Sequence, residues 1–104
     1  MYTVYKGRDN TFTIQLLEND EPYDISAIDK VGIIYKGTEY DSDVYPESFD
    51  YTTGASDGKI TFKLGAISAL TEGRDSKSEL ITYDPTNTNG VYWGYLSIRV
   101  MTLS

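Results

Sequence analysis

Apolar and polar residues take turns along this chain in short runs. Phe12, Ile14 and Leu16 alternate with Thr11, Thr13 and Gln15. Ile60, Phe62 and Leu64 alternate with Thr61 and Lys63, and Leu96, Ile98 and Val100 with Tyr95, Ser97 and Arg99. Side chains two apart share one face of a strand, so each run buries one face and wets the other. A helix would need apolar residues three and four apart, and only Ala66–Leu70 offers room for about one such turn.

Between the runs stand turn residues. Glu18-Asn19-Asp20-Glu21-Pro22, Gly54-Ala55-Ser56-Asp57-Gly58 and Asp84-Pro85-Thr86-Asn87-Thr88-Asn89-Gly90 punctuate the chain. They leave strands expected at 10–17, 30–36, 48–52, 59–64, 79–83 and 91–101. In the second, Val31, Ile33 and Tyr35 share a face opposite Gly32 and Ile34; in the third, Phe49 and Tyr51 share one. Residues 37–46 read as a loop or an edge excursion. Ten tyrosines add to the strand preference. The expectation is one all-β domain over residues 1–104: an antiparallel β-sandwich of about seven strands with at most one short helical turn. A chain of 104 residues is long enough to bury one core without covalent staples.

Composition narrows function by subtraction. No histidine is present, which removes the commonest general base and the commonest metal ligand. No cysteine is present, so there is no thiolate site and no disulfide. The net charge is -7, and the nine Lys and Arg form no stripe in sequence, so nucleic acid and membrane surfaces are not expected partners. No run is long or apolar enough to read as a membrane span or a signal peptide.

Three constellations have residue types that chemistry could use. Glu39, Asp41, Asp43, Glu47 and Asp50 offer oxygen ligands, but their spacing does not match a calcium loop, and a solvated acidic loop is the better reading. Neighbouring carboxylates such as Asp20 and Glu21 provide no cleft for glycosidase chemistry. Gly54, Gly58 and Gly65 fit no phosphate-cradling loop. No catalytic residue, metal ligand or cofactor is therefore expected. Tyr35, Tyr40, Tyr45 and Tyr51, and Tyr92, Trp93 and Tyr95 in the last strand, fill half-buried strand positions or form a binding platform for protein or glycan. Trp93 is expected at the edge of the core.

Several stretches resemble a known family. Lys6-Gly7-Arg8-Asp9-Asn10-Thr11-Phe12-Thr13-Ile14-Gln15-Leu16, Glu21-Pro22-Tyr23-Asp24-Ile25-Ser26 and the strand from Lys30 to Tyr35 are similar to the opening of phage baseplate upper-protein N-terminal domains and related immunoglobulin-like virion domains. Asp57-Gly58-Lys59-Ile60-Thr61-Phe62-Lys63-Leu64, Leu70-Thr71-Glu72-Gly73, Tyr83-Asp84-Pro85 and Asn89-Gly90-Val91-Tyr92-Trp93-Gly94 fit the same pattern.

The resemblance implies an immunoglobulin-like sandwich and a structural role in a phage virion, in the tail or baseplate or as capsid decoration. It implies a homo-oligomer bound to other virion proteins, made in the host cytoplasm. In that family the domain opens a longer protein; a domain standing alone is expected to serve as a free-standing subunit. The expected contact residues are Tyr5, Tyr40, Asp41, Asp43, Tyr45, Asp84 and Asn87, on the N-terminal segment and the 37–47 and 84–90 loops. A glycan-binding module is the alternative.

Overall fold

A computed structural model describes residues 1–102. Ten strands follow in chain order: β1 (Tyr2–Tyr5), β2 (Phe12–Gln15), β3 (Leu17–Glu18), β4 (Glu21–Pro22), β5 (Lys30–Tyr35), β6 (Thr38–Asp41), β7 (Phe49–Asp50), β8 (Lys59–Phe62), β9 (Gly73–Tyr83) and β10 (Val91–Met101). The larger sheet has the order β1-β10-β9-β5-β6 and the smaller β2-β8-β7, while β3 and β4 form a separate ribbon. The fold is all-β and sandwich-like.

The alternation of the sequence is the alternation of burial. Val31, Ile33 and Tyr35 of β5, Leu80 of β9, and Ile98 and Val100 of β10 turn into one core. Ile60 and Phe62 meet them from β8. Phe62 is fully buried, with Phe12 stacked on it at 5.1 Å and Phe49 edge-on at 5.7 Å. Burying such side chains contributes about 1.5–3 kcal/mol each, so these inward positions hold the sheets together.

Three features depart from the sequence reading. First, β1 pairs with β10 in parallel, Tyr2 opposite Ile98 and Tyr5 opposite Met101, so the larger sheet is not purely antiparallel. The chain then leaves this edge at Gly7, whose φ of 78° suits glycine, and crosses to the smaller sheet. Second, β9 begins at Gly73, six residues before the expected start, because pairing with β10 extends a polar segment that has no apolar pattern of its own. Third, the helical content among the described residues is three single 3-10 turns, at Pro46–Ser48, Ala55–Asp57 and Leu64–Ala66. None continues over 66–70, where Ile67 and Leu70 are instead buried individually.

The two eleven-residue strands set the long axis. At roughly 3.3 Å per residue each spans about 35 Å, in keeping with overall extents of 42 × 26 × 25 Å. One end, the near end, carries Tyr5, Gly73 and Met101. The far end carries Lys30, Tyr83 and Val91. The smaller sheet keeps the same polarity: Gly7 donates to the Gly65 carbonyl at the near end, and Tyr23 packs against Trp93 at the far end.

Candidate functional site

The last strand reads Val-Tyr-Trp-Gly-Tyr at its start. Strict alternation would put Tyr92 and Tyr95 on opposite faces, since they are three apart. The register prevents this. Tyr92 lies opposite Ile81 and Gly94 opposite Leu80, so β10 carries one extra residue, a β-bulge at Trp93. Gly94 takes a φ of 108°, a conformation that glycine adopts without penalty. Beyond the bulge Tyr95 faces Glu79.

Both tyrosines therefore stand on the outer face, 52% and 59% exposed. Their rings meet edge to face at 6.1 Å and 84°. Trp93 is turned the other way. Its indole N–H donates to the Thr82 hydroxyl at 2.9 Å, and its ring rests against Tyr23 at 5.0 Å.

The outer face continues across the sheet. Ile81 links Tyr92 to Gly32, and Glu79 links Tyr95 to Ile34. The Tyr83 hydroxyl donates to the Glu39 carboxylate at 2.6 Å, and the Lys30 ammonium sits 4.3 Å from the Tyr83 ring centre. Burial, helped by the bond to Glu39, pushes the Tyr83 phenol up to about 12. Gly32 makes room for this: a Cβ there would lie 2.7 Å from Glu39 Oε2. The face thus pairs two exposed aromatic rings on β10 with a buttressed polar cluster on β5, β6 and β9.

The expected contact residues fall into three places. Asp43 and Asp84 come together, lining one far-end depression with Asp29, Lys30, Tyr83, Pro85 and Thr88. Asp84 is also a turn-former: its carboxylate accepts from the exposed Asn87 side-chain amide and from the Asn87 and Thr86 backbone amides, which together hold its carboxyl below the usual carboxylate range. Asp41 Oδ1 likewise accepts from the backbone amides of Asp43 and Val44.

Tyr40 is not at the surface. It is buried in the core, opposite Ile33, because β6 is a true strand and its even positions point inward. Tyr45 is half-buried, 6.1 Å from the Tyr40 ring. Tyr5 lies at the near end, opposite Met101, roughly 30 Å from the loops by strand length.

The acidic stretch does not converge either. Glu39 receives Tyr83, and Asp50 receives the Thr52 and Thr53 amides. Among the described residues no three carboxylates are grouped as a metal ion would need. The sequence reading grouped Tyr92 and Tyr95 with Trp93; only the bulge separates the pair from the tryptophan. The sole local signal for it is the glycine inside an otherwise regular strand. No protein-family model, curated protein or solved structure matches this chain.

Proposed function

We propose that this protein is a non-catalytic binding subunit of a phage virion, in the tail or baseplate or on the capsid. It works by docking other virion proteins on the outer face of its larger sheet. The carrying observation is the Tyr92–Tyr95 pair, two large rings held on one side of a rigid strand by the Trp93 bulge. Tyrosine offers wide contact area with few rotors to freeze, and is enriched at protein interfaces. The virion context rests on the sequence resemblance to baseplate and related virion domains. A sheet that keeps its shape while its loops differ suits a subunit that bridges neighbours.

Quantitative mass spectrometry of purified parental virions tests this reading. Copies equal to the major capsid protein mean head decoration, and a far lower count means a tail or baseplate part. Absence from particles overturns the reading.

Glycan binding is the second reading, favoured by the same exposed rings. Two features weigh against it. Trp93 faces inward, and the tyrosine rings cross at 84° rather than lying flat as a stacking platform. A glycan array that binds the wild type and loses the signal in Tyr92→Ala would reverse the order.

A further inference from the structure

Charge is sorted along the strands of this molecule. At the near end lie Lys6, Arg8, Lys36, Lys63, Arg74 and Arg99. Their places follow from the backbone: the amides of Lys6, Arg8 and Lys36 donate to Met101, Tyr5 and Asp75, and Lys63 adjoins the Leu64–Ala66 turn beside Gly7. The acids at this end are Asp9, Glu47, Glu72 and Asp75, Glu47 lying beside Ala66 on the turn whose Ser48 carbonyl accepts from Lys63. Two of these are occupied by backbone amides: Glu72 accepts from Thr102, and Asp75 from Lys36.

The far end carries Glu21, Asp24, Asp29, Asp43, Asp57 and Asp84, with Lys30 and Lys59 as its cations. Asp57 and Asp24 are placed there by Gln15, which donates to the Asp57 carbonyl, and by Ile25, which donates to Ala55 beneath Tyr23 and Trp93. A chain of net charge -7 thus has one end where cations outnumber acids.

One detail at the near end is costly for the isolated molecule. Arg74 and Arg99 are direct cross-strand partners on β9 and β10. Like charges facing across a sheet destabilise it. They flank a depression of about 400 Å³ closed by Glu72, Gly73, Val100, Met101 and Thr102. An anionic group seated between the two guanidinium groups would remove the repulsion and gain charge-assisted hydrogen bonds.

We propose that copies of this chain associate head to tail, the arginine end of one seating on the acidic end of the next. The match is of charge, between the two ends of one elongated body. Such an interface is heterologous: it uses two different patches and closes into a ring or runs on as a filament. The end faces measure about 26 × 25 Å, so the contact is at the small end of specific interfaces and the pairwise affinity is weak. Stability of the assembly then comes from closure and from neighbours. The proposal goes beyond the functional reading above and does not depend on the virion location.

Sedimentation velocity across a concentration series tests it. The wild type is expected to self-associate in about 0.01 M salt and to dissociate in about 1 M salt, as the screening length falls from roughly 30 Å to 3 Å. Arg74→Glu/Arg99→Glu blocks one end, and Asp29→Lys/Asp43→Lys blocks the other. Each alone is expected to stay monomeric with an unchanged thermal midpoint. Mixed, they supply one native acidic end and one native basic end, and association should return at 1:1 stoichiometry. Arg74→Glu alone serves if the double variant unfolds. A wild type monomeric at every concentration in low salt overturns the proposal, as does a salt-insensitive oligomer or a mixture that stays monomeric. Self-association without presence in virions would sink the functional reading and leave this one standing; the reverse holds for a virion protein that is monomeric in low salt.

Discussion

The Trp93 indole N–H donates to the Thr82 hydroxyl at 2.9 Å, and this one bond ties the extra residue of β10 to the core face of β9. Thr82 is 1% exposed, so no water replaces its hydroxyl. Thr82→Val should strand the indole donor and cost about 1–3 kcal/mol in urea unfolding. Because Trp93 is the single tryptophan, its fluorescence reports the same event locally. Adding Trp93→Phe to complete a double-mutant cycle should give a favourable coupling; strict additivity would show that the bond is not made.

Two glycine substitutions separate strain from crowding. At Gly94 an added Cβ meets nothing within 4 Å, yet φ is 108°. Gly94→Ala should cost about 1–3 kcal/mol from backbone strain alone. At Gly65 the added Cβ would run into the Tyr5 and Arg8 carbonyl oxygens. Gly65→Ala should cost a similar amount, about 1–3 kcal/mol, from overpacking, with faster amide exchange in β1. Equal protection of β1 in both variants would refute the distinction.

The Tyr83 phenol sets an alkaline signature. Its folded pKa is raised to about 12 from 10.0, chiefly by burial. A raised folded value means the stabilisation is whole below the unfolded pKa and is lost as pH rises through the folded one, between 10 and about 12. Ultraviolet titration of the tyrosinates should show a late component in this window that vanishes in Tyr83→Phe. A late component that survives the substitution would assign it elsewhere.

On the acid side the sign reverses. Amide bonds hold Asp50 and Asp75 below their ordinary 3.8, from Thr53 and Lys36 respectively. Depressed carboxylates stabilise the fold above the unfolded pKa and lose that contribution as pH falls below it. Thermal midpoints should therefore drop below about pH 4, and Asp75→Asn should flatten that drop. With no histidine, the midpoint should stay level between about pH 5 and pH 7. A slope there would contradict this account.

Tyr92→Ala/Tyr95→Ala removes rings that face solvent. Stability should change by about 0.5 kcal/mol or less per site. Incorporation into virions, followed by mass spectrometry after complementation, should fall sharply. Normal incorporation would remove the outer face from the binding account.

Legibility in the sequence followed the source of each strand's order. β5, β8 and the second half of β10 announce themselves because their own side chains alternate and one face is buried. β1 and the first six residues of β9 carry no such pattern; Tyr2–Tyr5 and Gly73–Ser78 are strands because β10 is there to pair with them. Tyr40 looked like a loop aromatic because Thr38–Asp41 is short and polar around it; only pairing with Ile33 turns its ring inward. Asp43 and Asp84 are 41 positions apart, and nothing local predicts that their loops share one depression.

The sequence by itself determined the class of fold and the chemistry denied to the protein. Period-two burial is a local property of strands, and absent histidine and cysteine stay absent in any fold. The tertiary structure alone decided which faces the strands show. A single extra residue at Trp93 reverses every side chain beyond it, because strand periodicity is two, and so brings Tyr92 and Tyr95 to one surface. Antiparallel pairing of long strands likewise gathered charges scattered along the chain into a basic end and an acidic end. Distance along a sheet is fixed by register, which no short stretch of sequence contains.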